Sequence, residues 1–328
     1  MQDIPVFEDP IETQLDLDSV SVEVVPCGCC GSDVNRLLYP APQHSIYRNC
    51  AIVECTNCGV ARTSPRPTAE GLAETYENEY YSYQAPNLEG WGNKIKILAM
   101  QQSNPILYPY VIPFQLKPNS VICDVGCGSG QWLGLMRKAY PQTKLYGFEI
   151  SEETAKVAST VANADVQSGE FFENDWKSNT FDFITFWDVL EHVPEPKKVL
   201  QEVERLLKPN GTAVIIVPNF DCIYSKVFKQ FWWALLYDQH LHHFAPKPID
   251  QLVRSANLEP IYAGTPSTHS HPHWNLANYN QELTHQGREQ SIQAKLLGLG
   301  EKIIAPFDKI QITRMMPQHL IICAKKRA

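Results

Sequence analysis

The sequence predicts an α/β fold, a doubly wound sheet of seven strands preceded by a small cysteine-rich module, and three observations predict it. Short apolar runs alternate with amphipathic helical stretches from residue 120 onwards. The first run, Val121-Ile-Cys-Asp-Val125, breaks at an acid followed by Gly126, Gly128 and Gly130. Ahead of the alternation, Cys27-Gly-Cys-Cys30-Gly31 and Cys55-Thr-Asn-Cys58-Gly59 form two matched, closely spaced pairs. The 328 residues suffice for one α/β domain of roughly 200 residues with smaller attachments.

In chain order, residues 1–22 are acidic and aperiodic, an extended arm. Residues 23–66 hold the cysteine pairs. Each pair sets two thiolates on one tight turn, and the glycine after it lets backbone amides point at sulfur; two such turns supply the four sulfur ligands of structural Zn2+. Cys27, Cys30, Cys55 and Cys58 are the expected ligands, with Cys29 an alternative to Cys27 and a metal-free knuckle the other reading. Ile52-Val-Glu54 and Val60-Ala-Arg62 read as hairpin strands framing the second pair.

Residues 67–118 form a linker and lid: a short helix at 68–76, a cluster of Tyr80, Tyr81 and Tyr83, a helix at 93–103, and a proline-punctuated approach at 105–118. The tyrosines either pack on the main domain or turn a phenol, Tyr83, toward the reaction. From 119 to 328, strands are expected at 120–125, 144–149, 164–167, 181–187, 212–217, 261–264 and 320–326, the last two as a hairpin-like pair. Helices are expected at 130–139, 151–162 and 196–207, with Ser151-Glu-Glu153 a start and Asn210-Gly211 a stop, and an inserted helix at about 284–305.

The glycine loop carries the functional reading. Glycines admit close approach of backbone N–H groups, and the helix that follows adds partial positive charge. A dinucleotide site needs a glycine where this chain has Gln131. Asp124 would repel a pyrophosphate but could hold an α-amino group, and Glu149, ending the next strand, suits a ribose diol. An amino acid joined to a ribosyl adenine describes S-adenosylmethionine. Asp124, Gly126, Cys127, Gly128, Gly130, Glu149 and Ile150 are therefore expected at the cofactor, with Glu170 and Phe171 beside the adenine, and Trp187 and Asp188 at the same edge. This stretch resembles motif I of the class I S-adenosylmethionine-dependent methyltransferases, and Asp188-Val-Leu-Glu-His-Val193 with Val217-Pro-Asn219 resembles their later motifs. The resemblance, over about 115–260, implies a Rossmann-like methyltransferase sheet.

Methyl transfer to a hydroxyl or carbon acid needs a base. His192, in the post-strand motif, is either that base or a support for the cofactor. Tyr237-Asp-Gln-His240-Leu-His-His-Phe244 offers His240. Three histidines on one loop invite a metal reading, but the short step from His240 to His242 and the lack of a nearby carboxylate argue against it. The cysteine module, the tyrosines and this loop resemble the sugar C-methyltransferase family, in which the histidine matching His240 is a candidate base preceded by glutamate; here Gln239 stands instead, and the chain lacks the further α/β domain of that family. Trp232, Trp233 and Leu235–Leu236 form either a wall over the acceptor or a packed helix.

The acceptor this implies is small or carrier-linked, of the sugar, polysaccharide or natural-product type. A net charge of −8 gives no attraction to phosphate backbones, against a nucleic-acid partner. An RNA methyltransferase with a zinc ribbon, or a non-catalytic cofactor-binding scaffold, are the alternatives. No apolar run is long enough to span a bilayer, and ten cysteines behind an acidic, leaderless start predict reduced thiols and a cytoplasmic protein. The sequence leaves the oligomeric state open.

Overall fold

The computed structural model describes residues 21–40, 50–72, 85–104, 108–169, 171–237, 239–265 and 318–327. Tyr80, Tyr81, Tyr83, Glu170, the helix expected at 284–305 and nearly all of the acidic arm lie outside the described residues.

The N-terminal module is built from five short strands. The first, β1 (Val22–Glu23), pairs with β5 (Arg66–Pro67), so a strand starts at the last residue of the segment read as an arm. Strands β2 (Asn35–Tyr39), β3 (Ala51–Cys55) and β4 (Ala61–Ser64) form an antiparallel sheet, and β3 and β4 are the hairpin expected around the second cysteine pair. The fourth strand of this sheet comes from far along the chain: His242–His243 pairs antiparallel with β4.

The main sheet starts at β6 (Val121–Val125). A continuous apolar run with no polar alternation has to be covered on both faces, and Ile122 and Cys123 are fully buried. It is flanked by β7 (Lys144–Glu149) and β8 (Asp165–Ser168) on one side and by β9 (Phe181–Trp187) and β10 (Leu207–Pro218) on the other, all in parallel register. The strand His242–His243 is β11, β12 is Leu258–Gly264 and β13 is His319–Lys326. β13 runs antiparallel between β10 and β12, giving the order β12-β13-β10-β9-β6-β7-β8. The seven-stranded doubly wound sheet and the hairpin-like final pair are therefore as expected.

Crossover helices cover the faces. Gln131–Ala139 buries Trp132, Leu133, Leu135 and Met136. Glu152–Ala162 starts where Ser151 accepts the Thr154 amide at 3.3 Å, with Glu152 and Glu153 in its first turn, as the helix dipole favours. Pro196–Leu206 opens on a proline that needs no amide partner.

Its end differs from the expectation. Leu207 already pairs with Phe181, and Lys208-Pro-Asn-Gly211 forms an irregularity inside β10. Asn210 is left-handed (φ 67°), and a Cβ on Gly211 would lie 2.9 Å from the carbonyl oxygens of Lys208 and Phe181. The Asn-Gly pair thus serves a strand bulge, not a helix stop.

Gly126 and Gly130 are each fixed by both conformation and space. Gly130 has φ 80°, and a Cβ there would lie 2.8 Å from the Ala158 Cα on the neighbouring helix. Gly130→Ala should lower unfolding free energy by about 2–4 kcal/mol, read by urea denaturation; a loss below about 0.5 kcal/mol would show that the loop relaxes freely.

Candidate active site

Parallel strands deliver their carboxyl ends to one edge, and the candidate site lies there. The turn after β6 is held by amides of Gly126 and Cys127, which both donate to the Phe148 carbonyl at the end of β7 (2.8 and 3.1 Å). Gly126, Gly128 and Gly130 all have positive φ. Glu149 is buried and accepts the Gly128 amide at 2.8 Å and the Ser151 amide at 3.3 Å. Ile150, just beyond it, is exposed.

Asp124 is buried, and its orientation follows from register: it pairs with Thr185 across β6 and β9, and the Thr185 hydroxyl donates to its Oδ1 at 2.7 Å. Burial pushes this carboxyl up to about 8; the Thr185 hydrogen bond opposes the shift and the charge of Glu149 adds to it.

At the ends of β9 and β10 the chain encloses a cavity of about 220 Å3, lined by Tyr110, Asp188, Glu191, Pro218, Trp233, Leu236, His240 and His319. Asp188 is the turn residue after β9, with φ 55°. It accepts the Tyr110 hydroxyl at 2.8 Å, and its Oδ1 lies 3.1 Å from His319 Nε2. Burial disfavours its charge, but His319 and the Tyr110 hydroxyl outweigh it, so the carboxyl sits below its ordinary range. Glu191 shows the opposite balance: burial and the neighbouring Asp188 push it well above the usual carboxylate value. Among the described residues, neither of its carboxylate oxygens has a hydrogen-bond partner.

The two histidines read as base candidates stand face to edge, ring centroids 4.6 Å apart. His240 Nδ1 lies 2.8 Å from the Ala234 carbonyl and His192 Nδ1 3.0 Å from that of Gln239. Desolvation lowers both, His192 to about 4. His240 lines the cavity; His192 stands behind it.

The cysteine module is joined to this edge. Sγ atoms of Cys27, Cys30, Cys55 and Cys58 all lie within 4.8 Å of one another, a donor set that fits a tetrahedral metal ion. Cys29 is outside this set of four, its thiol hydrogen-bonded to Cys27 and its pKa raised by that bond and by burial. A Cβ on Gly28 would meet the Pro194 carbonyl at 2.4 Å, so the first knuckle sits directly on the post-strand turn. Thr63 of β4 takes the Leu241 carbonyl on its amide (3.1 Å) and the His240 carbonyl on its hydroxyl (2.9 Å), while the Leu241 amide donates to the Glu191 carbonyl at 2.8 Å. His242 and His243 belong to the module's sheet and lie away from the cavity.

Two expectations change. Phe171 packs into the core against Phe148 and Phe186 (5.2 and 6.4 Å between centroids), leaving Phe172 as the exposed ring. Trp187 packs edge-on to Tyr110 and tilted against Trp132 (5.8 and 5.3 Å), and Trp232 is core while Trp233 lines the cavity. Sequence reasoning missed Tyr110 and His319. His319 had a signal: in a final antiparallel strand the first residue lies where its parallel neighbour ends, and it pairs with Pro218. Tyr110 had none, because a proline-rich approach carries no periodicity.

Residues 107–263 match the family described as a methyltransferase domain. This part of the chain, just under half of it, is similar to that family. Among curated proteins, the demethylmenaquinone methyltransferases of Bacillus mycoides and Bacillus cereus are each 27% identical, over 36% of this chain and 62% of their own length. The match thus spans about three-fifths of those relatives. Among solved structures, Haemonchus contortus phosphoethanolamine N-methyltransferase 2 is 15% identical with a TM-score of 0.49, covering 82% of this chain and 63% of that one. A methyltransferase of Thermotoga maritima is 17% identical with a TM-score of 0.46, covering 78% and 99%. No helix among the described residues is long and apolar enough to cross a membrane.

Asp124 carries a testable titration. Because the folded-state pKa of Asp124 lies above the ordinary 3.8, the native state keeps a proton that the unfolded chain releases. The associated stability is complete below about pH 4 and lost as pH rises through about 8. Urea denaturation should show the wild-type chain losing at least about 1 kcal/mol relative to Asp124→Asn between about pH 5 and 8; parallel curves would mean that Asp124 is ionised throughout.

Proposed function

We propose that the chain transfers a methyl group from S-adenosylmethionine to a small or carrier-linked acceptor of the sugar or natural-product type. One observation supports this most: the glycine loop and the post-strand turn are in contact. A Cβ on Gly126 would lie 2.6 Å from Val189 Cγ2, and Asp188 and Glu191, on either side of Val189, line the cavity. Cofactor cradle and acceptor cavity therefore share one edge, as in-line transfer requires.

In this reading Asp124 and the loop of Gly126, Cys127, Gly128 and Gly130 receive the methionyl end, Glu149 the ribose hydroxyls, and Ile150 and Glu170 the neighbouring faces of the nucleoside. S-adenosylmethionine supplies an activated methyl carbon when bound. The residues must align the acceptor, exclude water and take a proton. Alignment can supply several kcal/mol; Tyr110, Trp233 and Leu236 give the cavity flat walls for a ring. Four clustered cysteines hold a structural Zn2+ that fixes the module, and through Thr63 the backbone of His240.

The base in this reading is a histidine of the cavity wall. His319 has a carboxylate behind it, Asp188 at 3.1 Å, which stabilises the imidazolium formed when the acceptor loses its proton. The Nδ1 atoms of His240 and His192 meet backbone carbonyls, which fix a ring without stabilising its charge as a carboxylate does.

His319→Asn should lower kcat at least a hundredfold while S-adenosylhomocysteine affinity stays within about twofold; unchanged turnover removes His319 from the mechanism. Protein incubated with methyl-labelled S-adenosylmethionine and cell extract should place label in small-molecule or carrier-linked fractions. Label in RNA would overturn the acceptor class, and no label in any fraction would favour a scaffold.

A further inference from the structure

The loop histidines lacked a carboxylate in sequence, and the fold supplies one. Glu191, on the turn Leu190–His192, comes to the His240 loop through the Leu241 amide bond. One ligand atom from each of Glu191, His192 and His240 lies within 4.8 Å of the others.

Three features make this cluster a site. First, Glu191 is 1% exposed, and both its oxygens lack a hydrogen-bond partner among the described residues. A buried carboxylate left so is costly unless something positive meets it. Second, both rings sit with Nδ1 on a main-chain carbonyl, which puts the proton on Nδ1 and the lone pair on Nε2. Metal-ligating histidines are oriented in this way by their outer partners. Third, Glu191 and His240 line the cavity, so a metal held there would keep open positions toward the acceptor. Asp188, close by with Tyr110 and His319 on its oxygens, adds negative field.

We infer that Glu191, His192 and His240 form a second metal site, for a divalent first-row transition cation, distinct from the four-cysteine site and opening on the acceptor cavity. Two imidazoles and one carboxylate suit Zn2+, Co2+, Fe2+ or Mn2+ better than Mg2+ or Ca2+, which prefer oxygen donors. The cation would take acceptor oxygens in its open positions, so the inference deepens the proposed function by favouring acceptors with an oxygen beside the methylated atom.

The test uses full-length protein without a histidine tag, loaded with one equivalent of Zn2+ and then titrated with Co2+. A further equivalent of Co2+ should bind without sulfur charge-transfer absorption. Glu191→Gln and His240→Asn should each weaken that binding at least tenfold while S-adenosylhomocysteine affinity stays within about twofold. Absence of a second equivalent in the wild-type protein overturns the inference whatever the variants do, as does equal affinity in wild type and both variants. Should either variant fail to fold, His192→Gln replaces it. The readout is independent of turnover: methyl transfer without cobalt binding sinks only the metal site, and cobalt binding without methyl transfer sinks only the proposed function.

Discussion

The parallel pairing of β6 with β9 is the constraint on which the rest depends. It sets Asp124 opposite Thr185, ends both strands at the same level, and so places the glycine loop against the turn 188–192. A slip of one residue would turn every side chain of the strand to the other face, exposing Ile122 or burying a loop amide without a partner. The loop conformation follows: its amides reach the Phe148 carbonyl and Glu149 because β7 is in register on the other side of β6.

Around that edge three buried acids and the half-buried Asp188 sit in different environments. Asp124 is raised by burial, which the Thr185 hydroxyl opposes. Asp188 is lowered because a histidine and a phenol outweigh burial. Glu149 is supported by two backbone amides. Glu191 has burial and a like charge against it, and its oxygens lack hydrogen-bond partners among the described residues. The environment of each carboxylate, and not its residue type, sets what it can do.

The N-terminal module is part of the site's scaffold. Its first knuckle rests on Pro194, Arg66 donates to the same carbonyl at 3.2 Å, and β4 takes His242–His243 as a neighbouring strand. Cys27, Cys29, Cys55 and Val60 pack into the same apolar cluster as Phe186 and Leu190 beneath the post-strand turn. Sulfur chemistry at one end of the molecule is thus mechanically linked to the position of His240.

The sequence by itself determined the sheet, the glycine loop and the clustering of the four cysteines, because each is written locally: apolar runs of strand length, glycines where φ must be positive, cysteines two residues apart. It placed five of the seven main strands within a residue or two, and missed the early starts of β10 and β12 because the pairing of Leu207 with Phe181 and of Leu258 with Lys326 depends on a neighbour. Only the tertiary structure decided the chemistry of the cavity. His319 reaches Asp188 because an antiparallel strand is inserted beside β10, Tyr110 reaches it from an aperiodic segment, and Glu191 meets His240 through a hydrogen bond linking distant parts of the chain. These pairs are separated by tens of residues and have no spacing rule, so nothing short of the folded sheet brings them together.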